Sequence, residues 1–301
     1  DDKYDYYFKN KSISLKEFNH HIDFYKKYFT ILSLDEAIRS IDNNENKKNI
    51  LVLTFDDGFK TNYSVVFPVL VKNNINATFF IISSCINNKN LMWRNKLLMI
   101  DMIDKNLLKQ AISSAVEEFN IKKFKKNDSL LKWSIENWSM KSKDEIADFL
   151  WDLCLDISVE EYLTTKKPYL NSNQIRELIS FGNQIGSHSE SHPDFSKLNY
   201  TDFKNEIYNS SKFIENITEK KVCYFSYPFG RVSSAYFEKK YKSEVNPNLL
   251  FFGIKNSLNN YDTNSRLERD NVEFEYNILL YRFLLLPIIR NLKIILFEYF
   301  I

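Results

Sequence analysis

The chain has 301 residues, enough for one large α/β domain, with 44% hydrophobic and 27% charged residues, an ordinary globular composition. Its formal net charge of +2 gives no overall attraction to phosphate polymers, so nucleic acid is not the expected partner. Cys85, Cys154 and Cys223 are odd in number and far apart, which excludes a disulfide framework and a thiolate zinc site and leaves buried reduced thiols. No basic-then-apolar leader is visible at the start, so the expected location is cytoplasmic or peripheral on the inner membrane face.

In chain order, residues 12–29 read as an amphipathic helix with Ser14 and Glu17 in capping-box spacing and Phe18, Ile22, Tyr25 and Phe29 on one face. His20 and His21 point about 100° apart on it and so are expected in structural roles. A second capping box, Ser33 to Glu36, opens a short helix over 35–41, followed by a polar loop. Leu51-Val52-Leu53-Thr54-Phe55 is an apolar strand ending in Asp56-Asp57-Gly58, either an ordinary turn or a pair of carboxylates with separate tasks. A helix over 63–73 and a strand over 77–82 complete a βαβ unit, which implies parallel strands with ligands at their carboxyl ends.

From about 86 to 167 the periodicity is helical, including a third capping box from Ser142 to Glu145, and this stretch reads as an insertion. It holds all four tryptophans, Trp93, Trp133, Trp138 and Trp151, expected to pack a small core rather than to stack on sugar. The α/β rhythm then resumes: a helix over 171–181, a strand over 184–187, a helix over 201–216, a strand over 222–227, a helix over 233–242 and a strand over 249–254. A single domain spanning 1–301, built as a closed or nearly closed barrel, is the economical architecture. Residues 277–301 are apolar but broken by Arg282, Pro287, Arg290, Lys293 and Glu298, too often for a span of roughly 20 residues. They are expected to form a C-terminal amphipathic helix that closes the barrel, makes an oligomer contact or touches a membrane peripherally.

The companion to the aspartates is Gly186-Ser187-His188-Ser189-Glu190-Ser191-His192-Pro193, after a short strand. Histidines four apart on a helical turn face the same way, and with one carboxylate they make three metal ligands, leaving positions for water or substrate.

With Thr54-Phe55-Asp56-Asp57-Gly58 and Phe225-Ser226-Tyr227-Pro228-Phe229-Gly230 on either side, the order of motifs resembles the first three motifs of the polysaccharide deacetylases of carbohydrate esterase family 4, the NodB-homology family. The resemblance covers roughly residues 14–269. It implies a distorted (β/α) barrel of about seven strands and a divalent metal, most often Zn²⁺ with Co²⁺ or Ni²⁺ as alternatives. It further implies hydrolytic removal of acetyl groups from an N-acetylated sugar in a bacterial surface glycan or its precursor. Position by position it makes Asp57, His188 and His192 the metal ligands and Asp56 the general base. The backbone N–H of Phe229 becomes the oxyanion donor, on a loop shaped by Pro228 and Gly230. Thr54 and Ser189 are expected as hydrogen-bonding supports.

Two departures stand out. The arginine that this family commonly carries two positions before the proline, where it orients the catalytic carboxylate, is Ser226 here. The late histidine that serves many members as general acid has no counterpart, since none follows His192. Asp262 and Arg269 are the candidate helpers; otherwise Asp56, or a water on the metal, would protonate the leaving group. The departures keep open a catalytically silent carbohydrate-binding relative, and the fold also admits hydrolysis of another C–N bond.

Overall fold

The computed structural model describes residues 13–43, 49–125, 129–254, 266–271 and 295–299. Eight strands are present among them: β1 (Thr30–Ile31), β2 (Ile50–Phe55), β3 (Thr78–Ile81), β4 (Gln184–Ser187), β5 (Tyr224–Ser226), β6 (Leu250–Ile254), β7 (Leu267–Asn271) and β8 (Ile295–Tyr299). Every pairing is parallel, and β8 pairs with both β7 and β2, so β2 to β8 form a ring of seven. Leu51 pairs with Ile31 on one edge of β2 and with Ile295 on the other, which leaves β1 as a short addition outside the ring. The distorted (β/α) barrel of about seven strands is therefore the observed fold.

The C-terminal helix expected over 277–301 is not what the described part shows. Residues 295–299 are strand β8, in register with Leu51 to Phe55. Ile295, Leu296, Phe297 and Tyr299 are β-branched, aromatic or apolar, composition that suits a strand lying between two others. Residues 277–294, with Arg282, Arg290 and Lys293, lie outside the described residues, as does Asp262. No helix among the described residues is long and apolar enough to cross a membrane.

Alternation along the strands separates two layers of packing. Leu51, Leu53, Phe55, Phe79, Ile81, Phe225 and Phe251 face outward into the main core. Helices α1 (Leu15–Tyr28), α3 (Phe67–Asn73), α9 (Ser172–Ser180), α10 (Tyr200–Thr218) and α11 (Ala235–Glu244) supply the other side of that core. Ile50, Val52, Phe80, Tyr224, Phe252 and Leu267 fill the ring, with Leu34 and Ala37 of α2 (Leu34–Asp42) beneath. Gly186 makes room there: a Cβ on it would meet the Phe80 ring at 2.5 Å.

The caps at Ser14 and Ser33 form as the spacing predicts, the second as a reciprocal box with Glu36. At Ser142 the expected box is absent, because its hydroxyl donates to the Ser139 carbonyl instead of capping the helix. His21 is buried beside the Tyr25 ring, a structural role.

Between β3 and α9 the chain makes α4 (Trp93–Ile100), α5 (Lys105–Glu118), α6 (Leu130–Asn137), α7 (Lys143–Cys154) and α8 (Val159–Lys166). This insertion has its own apolar cluster, in which all four tryptophans are buried, as expected for packing rather than for sugar stacking. It returns to the barrel beside the first motif. Leu170 N–H donates to the Gly58 carbonyl at 2.9 Å, and Tyr169 stacks on Phe59 with centroids 5.5 Å apart.

Candidate metal centre

The inward parity of the strands reaches one step past the ends of β2 and β4, the last residue of β5 and the middle of β7. Val52, Thr54 and Asp56 share one side; so do Gly186 and His188, Tyr224 and Ser226, and Leu267 and Arg269. Asp56, His188, Ser226 and Arg269 thus converge at one mouth of the ring, each from a different strand. Asp57 has the opposite parity, and a tight turn brings it back. It is the central residue of a three-residue turn at φ 68°, with Gly58 N–H donating to the Asp56 carbonyl at 2.9 Å.

His188 and His192 do not sit on a helical turn, contrary to the expectation from their spacing. The chain between them is irregular, with Ser189 at φ 71° and His192 at φ 56°. Side-chain and backbone bonds hold this shape: His192 N–H donates to Ser189 Oγ at 2.9 Å, and Ser189 N–H donates to Ser187 Oγ at 3.2 Å. Ser189 is therefore the hydrogen-bonding support expected of it.

Asp57, His188 and His192 form a cluster whose ligand atoms all lie within 4.8 Å of one another. Asp57 Oδ1 is 3.4 Å from His188 Nε2 and 3.5 Å from His192 Nε2. Metal bonds of about 2.0–2.2 Å at the tetrahedral angle put neighbouring ligand atoms about 3.3–3.6 Å apart, so the spacing suits a zinc-like cation. The hydrogen bonding suits it too. Both carboxylate oxygens of Asp57 are buried without a donor among the described residues, a costly state unless a cation satisfies them. His188 Nδ1 lies 2.8 Å from the Ser226 carbonyl, so that nitrogen donates and Nε2 keeps its lone pair for a ligand.

Burial dominates the electrostatics at the cluster. Burial pushes the Asp57 carboxyl above its ordinary 3.8, against the opposing charges of His188, Arg94 and Arg269. Burial also holds His192 well below 6.5, with His188 and Arg94 adding to the effect. A bound divalent ion would draw Asp57 back to its carboxylate and use His192 in the neutral form that burial already favours.

Asp56 makes a different set of contacts. Arg269 Nη1 and Nη2 lie 2.7 and 2.8 Å from its two oxygens, and Ser226 Oγ donates to Oδ2 at 3.1 Å. Thr54 Oγ1 accepts from Arg269 Nη1 at 3.2 Å, a supporting role like the one expected. Asp56 is thus fixed beside the cluster, 3.5 Å from His188 Nε2. Phe229 sits at φ 58° with its ring edge-on to His192, centroids 4.5 Å apart. Gly230, also at positive φ, lies where a Cβ would meet Ile254 at 2.8 Å. From the insertion, Trp93 packs edge-on against the Phe229 ring and Arg94 lies over it, 5.6 Å from its centroid.

Asp56, Asp57, His188, His192 and Phe229, the five residues to which the resemblance gives ligand or catalytic roles, therefore meet at one place. Sequence reasoning leaves Arg269 as a candidate helper and misses that it grips Asp56.

Solved structures share the fold at low identity. A de-N-acetylase from Aggregatibacter actinomycetemcomitans superposes with a TM-score of 0.53 at 17% identity, over 90% of this chain and 89% of that one. The BpsB deacetylase domain from Bordetella bronchiseptica gives 0.52 at 14%, over 96% and 87%. The Streptococcus pyogenes deacetylase PplD, in complex with acetate, gives 0.51 at 16%, over 82% and 75%. No match was found among curated proteins. The sequence profile described as Polysaccharide deacetylase matches residues 43–121 and 154–245, more than half of the chain, and passes over part of the helical insertion between the first two motifs. With that match and the barrel that carries its motifs, the chain belongs to the polysaccharide deacetylase family.

Proposed function

We propose that this protein is a metal-dependent hydrolase that removes the acetyl group from an N-acetylated sugar in a bacterial surface polysaccharide or its precursor. The observation that carries the reading is the buried Asp57, His188 and His192 cluster beside an Asp56 held by Arg269. Neighbours of the same fold are a de-N-acetylase and a deacetylase holding acetate, the product expected here.

Asp57, His188 and His192 would hold a divalent ion, most often Zn²⁺, with Co²⁺ or Ni²⁺ able to use the same ligands. Such an ion supplies Lewis acidity to the acetyl carbonyl and lowers the pKa of water. Asp56 is not in the ligand cluster and accepts the proton of the attacking water, whose oxygen bonds to the carbonyl carbon. Arg269 and Ser226 keep the carboxylate aimed during that transfer. The backbone N–H of Phe229 donates to the developing oxyanion. When the C–N bond breaks, Asp56, now a carboxylic acid, returns the proton to the departing amine, and acetate leaves. Asp56 is assigned both steps, base and then acid, because it is the carboxylate fixed beside the cluster, 3.5 Å from His188 Nε2.

The competing idea of a silent carbohydrate-binding relative loses one of its two grounds, because Arg269 supplies the carboxylate with the guanidinium partner that position 226, a serine here, does not. The test is acetate release from a panel of N-acetylated sugars with added Zn²⁺, Co²⁺ or Ni²⁺. Asp56→Asn should lose about 10²–10⁴-fold in rate. Equal inertness of wild type and variant across the panel would sink the reading.

A further inference from the structure

The helical insertion reaches the turn between the two histidines through a side chain that the chemistry above does not use. Lys143, the first residue of α7, is only 3% exposed, a rare setting for lysine. Its Nζ lies 2.6 Å from Asp144 Oδ2 and donates to Ser191 Oγ at 2.9 Å. Ser191 in turn donates to Glu206 Oε1 at 2.5 Å. Glu206 Oε2 accepts from the backbone N–H groups of Ser191 at 2.8 Å and Glu190 at 3.0 Å. These are residues of the turn between the two histidines, where Ser189 and His192 hold left-handed backbone conformations that a non-glycine residue adopts at a cost. The insertion holds the turn a second time through Trp93, whose Nε1 donates to the His192 carbonyl at 2.9 Å.

We propose that Lys143 is a positioning residue for the metal centre: from the insertion it fixes Ser191 and, with Glu206, locks the turn that aims His188 and His192 at Asp57. This rests on the reading of those three residues as metal ligands. Strained turns persist only where their surroundings over-determine them, and bonds outside the first ligand shell set how well ligands are presented. The pair Lys143 and Glu206 meets both conditions at one hydroxyl.

Positioning and simple charge make opposite predictions. Lys143 is a cation near the site, so by through-space repulsion alone its removal would tighten binding of a divalent ion. As a positioning residue, its removal loosens binding. The measurement is the Zn²⁺ affinity of the metal-stripped, full-length chain, read by competition with a chromophoric chelator, with folding followed by near-UV circular dichroism. Lys143→Met should weaken Zn²⁺ binding about 10–100-fold. Ser191→Ala, which removes the hydroxyl that both Lys143 and Glu206 hold, should weaken it at least as much, and the double variant should lose no more than Ser191→Ala, because both act through one network. The exposed Lys141→Ala should match wild type.

A folded Lys143→Met that binds Zn²⁺ as tightly as wild type, or more tightly, overturns the proposal. If Lys143→Met does not fold, Ser191→Ala decides in the same way. Wild type that binds Zn²⁺ but releases no acetate leaves this inference standing and defeats the deacetylase reading. Wild type that binds no Zn²⁺ overturns both.

Discussion

Arg269 Nη1 and Nη2 lie 2.7 and 2.8 Å from the two carboxylate oxygens of Asp56, a two-point pair in which both side chains are fully buried. Arg269 Nη2 also lies 2.5 Å from Ser226 Oγ, at the position two before Pro228. The carboxylate is therefore oriented from β7, and β5 contributes only a hydroxyl. Removing one partner of a buried pair leaves an uncompensated charge, so Arg269→Ala should cost about 3–5 kcal/mol of stability, measured by denaturant unfolding. Arg269→Lys should recover little of the activity, since an ammonium cannot reproduce the planar fork. Ser226→Arg in the Arg269→Ala background should recover part of kcat, because residue 226 already touches the same oxygen. No recovery together with unchanged kcat in Arg269→Ala would mean that the pair is purely structural.

His192 sets the expected response of the metal-free protein to acid. Burial holds its folded-state pKa well below 6.5, so between that value and 6.5 the unfolded chain binds more protons than the folded one. Stability contributed by the neutral ring is fully present above pH 6.5 and is lost as the pH falls through that window. The slope approaches about 1.4 kcal/mol per pH unit for one proton. Unfolding free energies measured from pH 7.5 downward should show this slope in wild type and a flatter one in His192→Gln.

The insertion core offers a test of packing. Trp133 is fully buried, donates through Nε1 to the Lys122 carbonyl at 2.8 Å and meets Trp138 edge-on. Trp133→Ala should destabilise the protein by about 3–5 kcal/mol, the usual range for emptying an aromatic site. Thermal unfolding would register this. A loss below about 1 kcal/mol would indicate a site that collapses freely.

Strand β8 closes the ring by pairing with five residues of β2 and two of β7. Deleting residues 295–301 should therefore yield insoluble or unfolded protein, because it opens two strand edges at once. A soluble, cooperatively folding deletion would argue that the ring does not depend on β8.

Much of the site was legible because it uses parity and short motifs. The run from Leu51 to Asp57 places two carboxylates at a strand end, and His188 and His192 follow a four-residue strand whose bounds match the expected ones. What escaped notice depends on tertiary context. Arg269 lies in Leu267–Asn271, whose sequence LERDN is too charged to read as a strand. The inward charge is tolerated only because Asp56, Thr54 and Ser226 meet it. Residues 295–299 read as part of a helix in the sequence because an apolar run with scattered charges has no decisive period. The shape of the 188–192 turn was equally hidden, since two left-handed residues there are imposed by Glu206, Lys143 and Trp93, all distant in sequence.

The central claim is that Asp57, His188 and His192 hold a divalent ion on which deacetylation depends. It is tested most directly by titrating Zn²⁺ into metal-stripped protein while measuring acetate released from an N-acetylated sugar. Acetate release should rise with added metal and level off at about one ion per chain, with no rise in Asp57→Ala. Acetate release that is unchanged by stripping the metal, and equal in Asp57→Ala, would contradict the account.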